Sequence, residues 1–253
     1  MTTNQDHNDD GTTHFGFRTV PVDEKASLVR EVFDSVAEQY DLMNDLMSAG
    51  VHRLWKASFL DWLRPRPGMT LLDVGGGTGD IAFGFKKRGG GKALVLDINR
   101  EMLAVGRNRA FDRNLIGGLG WICGDAMKLP VADRSVDAYT IAFCLRNVTH
   151  IDKAIAEAYR VLKPGGRFMC LEFSQVVVPG LRQAYDAYSF NVLPAIGGMV
   201  TGNRDAYQYL VESIRRFPPQ AELAAMVEAA GFSRVEVRNL SGGIAAIHSG
   251  WRL

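Results

Sequence analysis

The first chemical pattern in the chain is a run of glycines flanked by carboxylates. The stretch LLDVGGGTGDIAF, residues 71–83, sets Gly75, Gly76, Gly77 and Gly79 between Asp73 and Asp80. Glycines between a strand and a helix let the backbone turn tightly and approach a ligand closely. The spacing Gly75-x-Gly77-x-Gly79 departs from the G-x-G-x-x-G of a dinucleotide loop, whose pyrophosphate rests on a helix N-terminus. Asp80 falls in the first turn of the following helix, where a fixed carboxylate repels phosphate. A cation suits such a loop better, and S-adenosylmethionine carries both an ammonium and a sulfonium. Further on, Asp97 ends a strand where a carboxylate commonly takes both ribose hydroxyls. Asp125 and Ala126 follow the next strand, where the side chain can accept from an adenine amine and the Ala126 N–H can donate to the ring. Asp73, Gly75, Gly77, Gly79, Asp97, Asp125 and Ala126 are therefore read as a site for an adenosyl cofactor.

The acceptor must be read from the segment after the fourth strand. That segment is AFCLRNV, without the Pro-Pro-aromatic pattern that receives a flipped base, so nucleic acid is disfavoured. Cys144 precedes Leu145 and lacks the setting of a covalent thiolate, so packing explains it better. Arg146 and Asn147 are placed to orient an oxygen-bearing substrate and are read as catalytic.

Alternating elements must position these groups. An apolar stripe through Val29, Val32, Phe33, Val36, Ala37 and Tyr40 predicts one helix. His52 to Leu63 predicts a second, which RPRPG ends. From residue 69, strands MTLLDV, KALVLDI, GWICGD, VDAYTIAFC and RFMCLEF alternate with helices. That order requires crossovers, hence an α/β domain with a mainly parallel sheet and helices on both faces. Residues 1–22 are expected to be a flexible segment, although HFGFRTV is aromatic enough to dock.

Composition agrees with one domain. The chain has 253 residues, 47% of them hydrophobic, and 29 Lys plus Arg against 28 Asp plus Glu, so a polyanion is not the default partner. Its three cysteines and five histidines are scattered, which predicts reduced thiols and no metal site. The start MTTNQDHNDDGTT lacks a secretory pattern, and no stretch reaches the roughly 18 apolar residues of a membrane span. A cytoplasmic location is expected, at most with contact at a membrane surface.

HFGFRTV, VFDSVAEQYDLMNDLMSAGVHRLWK, LDVGGGTGD, LRNV, YRVLKPGG, LEFS, YDAYSFNVLP, YQYLVESI and NLSGGIAAIHSGWRL span nearly the whole chain. In these motifs the sequence resembles the ubiquinone/menaquinone biosynthesis C-methyltransferases; YDLMNDLMSAGVHRLWK and YDAYSFNVLP are the specific ones. The resemblance implies a class I, Rossmann-like methyltransferase fold over 23–253. N-terminal helices would occupy 23–64, the cofactor core 65–175, a helical lid 180–218, and a helix with strands 219–253. It implies methyl transfer from S-adenosylmethionine to a ring carbon of a polyprenylated quinol, either 2-methoxy-6-polyprenyl-1,4-benzoquinol or demethylmenaquinol. Carried over by position, Thr78, Asp97, Asp125 with Ala126, and Ala142 contact the cofactor. Many relatives have Asn at 125, Ser at 142 and Gly at 144, so no hydrogen bond is expected from Ala142, and Cys144 narrows the pocket.

Tyr40, Met43, Asn44, Met47, Tyr185 and Tyr188 are expected to bind the acceptor, and the N-terminal helices through Met47 with the aromatic stretch Tyr185, Tyr188, Phe190, Tyr207 and Tyr209 to form a lid over it. Any one of them would equally suit a helical core; together they offer a prenyl tail an apolar channel. PAIGGMV is expected to touch the inner face of the membrane. A homodimer or a quinone-biosynthesis complex is left open. For the chemistry, ionising a phenol of pKa about 10 at pH 7 costs roughly 4 kcal/mol, which a cation such as Arg146 can offset. Guanidinium stays protonated, so water, Glu172 or His150 must take the proton. The alternatives are methylation on oxygen of a small phenol, or an NAD-dependent oxidoreductase.

Overall fold

The computed structural model describes residues 11–36, 45, 48, 50–115, 117–189 and 204–253. Its core is a seven-stranded sheet in the order β5-β4-β3-β6-β7-β9-β8. The strands are β3 (Thr70–Val74), β4 (Lys92–Asp97), β5 (Leu119–Cys123), β6 (Val136–Ala142), β7 (Leu162–Phe173), β8 (Ser233–Leu240) and β9 (Ala245–Trp251). β3 to β7 pair in parallel, whereas β9 runs antiparallel between β7 and β8. Leu71, Leu72 and Val74 are fully buried, the apolar run expected of a strand covered on both faces. The chain order reverses between β3 and β6, and ligands gather at such a switch point.

Helices cover both faces. One core joins α2 (His52–Leu63), α3 (Asp80–Lys87), α4 (Arg100–Asp112) and α7 (Arg204–Arg216) to the sheet through Phe59, Ile81, Phe85, Leu103 and Leu210. The other packs α5 (Ile151–Val161) and α8 (Gln220–Ala229) through Ile155, Ala158, Val161, Leu223 and Val227. α2 occupies the span its periodicity predicts and turns its buried Trp55, Phe59 and Trp62 to one side. Arg64 then adopts a left-handed conformation at φ 56°, and Pro65 prevents continuation. α4 begins at Asn99, whose side chain accepts from the Met102 N–H at 3.1 Å. α6 (Leu181–Ala187) precedes the span 190–203, which lies outside the described residues.

Two local features differ from expectation. β7 begins at Leu162 rather than at the Arg167 that opens the expected strand RFMCLEF, and KPGG is an irregularity within it: Val136 pairs with Leu162, but Ala138 pairs with Arg167. Of the segment 1–22 expected to be flexible, the described residues form a hairpin of β1 (Thr12–Phe15) and β2 (Arg18–Pro21) that leads into α1 (Val22–Val36). Tertiary contacts hold a hairpin that would be marginal alone. The Phe15 ring stacks on Tyr209 of α7 at 4.2 Å, and the Phe17 N–H donates to Glu212 at 2.9 Å. HFGFRTV therefore docks.

Candidate functional site

At the carboxyl ends of the parallel strands, a cavity is lined by Gly75 and Gly77, Asp97, Asp125 with Ala126, and Asn147. Gly75, Gly77 and Gly79 have φ of 60°, 50° and 87°, the left-handed region that other residues adopt at a cost. A β-carbon at Gly75 would overlap the Cys144 side chain, so this turn has no room for one. Asp97 ties the loop to β4. Its Oδ2 accepts from the Gly77 N–H at 2.9 Å and its Oδ1 from the Asn99 N–H at 2.8 Å. Asp125 Oδ1 accepts from the Met127 N–H at 2.8 Å. A carboxylate has about four lone-pair sites, so both side chains keep acceptor capacity for hydroxyl or amine donors. That capacity, with backbone exposed at the glycines, fits an adenosyl ligand.

α1 lies across this cavity through Ala26, Val29 and Arg30, leaving about 100 Å³ of open space. Arg30 was not anticipated from the sequence. Its signal was its place four residues after Ala26, on the same side of the helix.

Not every expected contact reaches the cavity. Asp73 is buried beneath the loop, accepts from Thr140 Oγ1 at 2.8 Å, and lies outside the lining. Burial pushes its pKa up to about 7, against the opposing hydrogen bonds from Thr140 and the Ala82 backbone. Asp80, the carboxylate expected to repel phosphate, is ion-paired with Lys56 of α2 at 2.7 Å. Burial raises its pKa, yet Lys56 outweighs that and holds it below the ordinary value. The negative side of the cavity therefore belongs to Asp97 and Asp125 rather than to the pair flanking the glycines. Thr78 accepts from Arg109 at 3.2 Å, away from the cavity, and Gly79 and Ala142 are also outside its lining.

Burial pushes the pKa of Asp97 up to about 6, opposed by the N–H groups it accepts from. The ionised form is the one that accepts two hydroxyls, so it prevails above about pH 6 and is lost below. We expect cofactor binding to weaken as pH falls through that value, with proton release on binding near it. Titration calorimetry in buffers of different ionisation enthalpy reads both.

Just past β6 the backbone takes an unusual turn. Phe143 has φ 55°, a left-handed conformation rare for an aromatic residue. Residues held this way often mark functional sites. Here the turn leads into a short 3-10 segment, Leu145–Asn147, that puts Asn147 on the cavity wall. Arg146 fastens it from behind by donating to the Phe143 carbonyl at 2.6 Å and to Glu172 Oε1 at 2.6 Å. Both side chains of that ion pair are 1% exposed. Glu172 thus offsets the charge that Arg146 was expected to offer to a substrate oxygen, while the Arg146 side chain also lines the adjoining cleft. Glu172 in turn is no free base, and His150 lines neither this cavity nor the next.

A second cleft of about 370 Å³ adjoins the first and shares Val148 and Thr149 with it. It is lined by His14, Lys25, Arg146, Tyr209, Arg215 and Arg216 among others. The Tyr209 hydroxyl donates to Asn147 Oδ1 at 2.9 Å, linking the hairpin and α7 to the cavity wall. Tyr185 and Tyr188 are half-buried and line neither space. Burial raises the Tyr185 hydroxyl to about 12, against a hydrogen bond with Ser189 and the charge of Arg215, which pull it down. Tyr40, Met43, Asn44, Met47, Phe190 and PAIGGMV lie outside the described residues. Cys144 is half-buried on the cavity wall beside the loop, with its thiol pushed far up by desolvation, which fits packing rather than catalysis. Among the described residues, no three His, Cys, Asp or Glu side chains are grouped to hold a metal ion. Nor is any helix long and apolar enough to cross a membrane.

Residues 9–252 match the model of the ubiE/COQ5 methyltransferase family. A relative from Dinoroseobacter shibae, named ubiquinone/menaquinone biosynthesis C-methyltransferase UbiE, is 60% identical over 245 residues, covering 96% of this chain and 98% of the relative. Proteins of the same name from Cereibacter sphaeroides (strain ATCC 17029 / ATH 2.4.9) and Brucella abortus (strain S19) are each 59% identical, covering 96% and 94% of this chain and 97% and 90% of their own. Among solved structures, an S-adenosylmethionine-dependent methyltransferase from Thermotoga maritima superposes with a TM-score of 0.64 at 20% identity, covering 88% of this chain and 99% of its own. The [4+2]-cyclase SpnF superposes with a TM-score of 0.66 at 19% identity, covering 88% and 94%. At such identities the structures speak for the fold alone.

Proposed function

Because the chain belongs to the ubiE/COQ5 methyltransferase family and is an S-adenosylmethionine-dependent methyltransferase, we propose that it methylates a ring carbon of a polyprenylated quinol in ubiquinone or menaquinone biosynthesis. The observation that carries the reading is the pair of adjoining spaces. One presents glycine backbone and two carboxylates, and the other is a cationic cleft meeting it at Val148 and Thr149. When bound, S-adenosylmethionine supplies an electrophilic methyl group on a sulfonium. Asp97 holds the ribose hydroxyls and Asp125 with Ala126 the adenine. Arg30, on the same wall, suits the amino-acid carboxylate.

The acceptor ring occupies the second cleft with its reacting carbon toward the shared wall. Asn147, steadied by Tyr209, orients the ring oxygen, and Arg146 keeps the turn that carries Asn147 in place. Burial behind α1 and the docked hairpin excludes water, and alignment in such a site supplies roughly 7–11 kcal/mol toward the barrier. The tail leaves the cleft toward a bilayer, whose inner face the enzyme touches from the cytoplasmic side.

The test compares tailed with tailless acceptors. kcat/KM should favour a prenylated methoxyquinol over the same ring without a tail, with vesicles of anionic lipid raising the rate for the tailed one. Equal rates for a short catechol, or flotation showing no vesicle association with or without quinol, would contradict the acceptor and membrane parts of this reading.

A further inference from the structure

α1 straddles the wall between the two spaces. Ala26, Val29 and Arg30 face the cofactor cavity, whereas Lys25 faces the adjoining cleft. Lys25 is 7% exposed, and among the described residues its ammonium has one acceptor, Val148 O at 3.3 Å. Val148 lines both spaces, so Nζ sits at the boundary that an acceptor ring must reach to meet the methyl group. An ammonium has three donors, which leaves two for a ligand. Burying such a charge without a counter-ion is costly unless a ligand completes its surroundings.

We infer that Lys25 is the catalytic residue that takes the proton of the acceptor's ring hydroxyl and then holds the phenolate oxygen. The inference rests on the quinol reading and fills the role that Arg146 and Glu172, tied to each other, leave open. Burial brings Lys25 down to about 8, so about a tenth of it is a neutral base at pH 7. His14, Arg146, Tyr209, Arg215, Arg216 and Glu222 line the same cleft. The three guanidiniums favour the neutral amine, and Glu222 favours the ammonium.

Atoms and electrons balance in this step. The phenol O–H bond breaks as an N–H bond forms at Nζ, and the ring carbon gains the methyl group as the S–C bond breaks. The proton displaced from that carbon goes to water, and Nζ returns its own to the oxygen.

The experiment compares Lys25→Met and Lys25→Arg with wild type in the full chain. With a prenylated quinol, kcat should fall by about 10²–10⁴-fold in both variants while the Kd for S-adenosylmethionine stays within about twofold. The rise of kcat with pH toward 8 should vanish in Lys25→Arg, which keeps charge but cannot serve as a base. Without cofactor, a prenylated 2-methoxyphenol should show a phenolate absorbance at neutral pH on wild type and not on Lys25→Met. A kcat retained within about threefold in Lys25→Met, or an unchanged pH limb in Lys25→Arg, would overturn the inference while wild-type carbon methylation leaves the functional reading standing. Wild type that methylates no quinol carbon would overturn both.

Discussion

Replacing Arg146 with alanine should lower the free energy of unfolding by about 3–5 kcal/mol, because it leaves the Glu172 charge buried without its partner. Both side chains are 1% exposed, so water cannot take over. Burial already raises the Glu172 pKa, with Arg146 the main force opposing that rise. Removing the guanidinium lets the carboxyl take up a proton, which returns part of the loss. The Phe143 carbonyl also loses its donor, and the left-handed turn at Phe143 loses its fastening. Replacing both partners with apolar residues, Arg146→Met with Glu172→Leu, should recover much of the stability, since a buried pair is often matched by hydrophobic packing. Turnover should stay low in that double variant, because Asn147 is no longer held at the wall. Urea denaturation beside a turnover assay separates the two. If Arg146→Ala is as stable as wild type, the pair does not hold the turn in place.

Replacing Asp97 with alanine should raise the Kd for S-adenosylmethionine at least about a hundredfold, or roughly 2.8 kcal/mol. The substitution removes the acceptor for the Gly77 and Asn99 N–H groups together with the acceptor proposed for the ribose hydroxyls. Leaving such donors without partners costs about 1–3 kcal/mol each. Asp97→Asn keeps one carbonyl oxygen and should lose less. Calorimetry at pH 7.5, above the value near which Asp97 titrates, gives the comparison without the pH effect.

Much of this arrangement can be read from the residues in order, because local pattern sets local structure. The helix from His52 to Leu63 and the alternation of strands follow from spacing alone. Asp97 and Asp125 could be placed because each ends a strand whose position in the sheet is implied by the parallel order. Pairings between distant residues could not be read in that way. Arg146 and Glu172 meet only because β6 and β7 are neighbours, and Asp80 is neutralised by a lysine 24 residues earlier. The cofactor assignment therefore stands on a different pair of carboxylates from the one that first suggested it. The hairpin at 12–21 depends on α7, nearly the whole chain away. Lys25 did carry a signal, since it lies four residues before Val29 on the apolar stripe, where a charge has no ordinary place.

Where the methyl group goes decides between carbon and oxygen chemistry. The enzyme, incubated with S-adenosylmethionine labelled in its methyl group and a reduced prenylated methoxybenzoquinol or demethylmenaquinol, should yield a product whose label lies on a ring carbon by fragmentation mass spectrometry. Label found on the ring oxygen, with the carbons unlabelled, would contradict it.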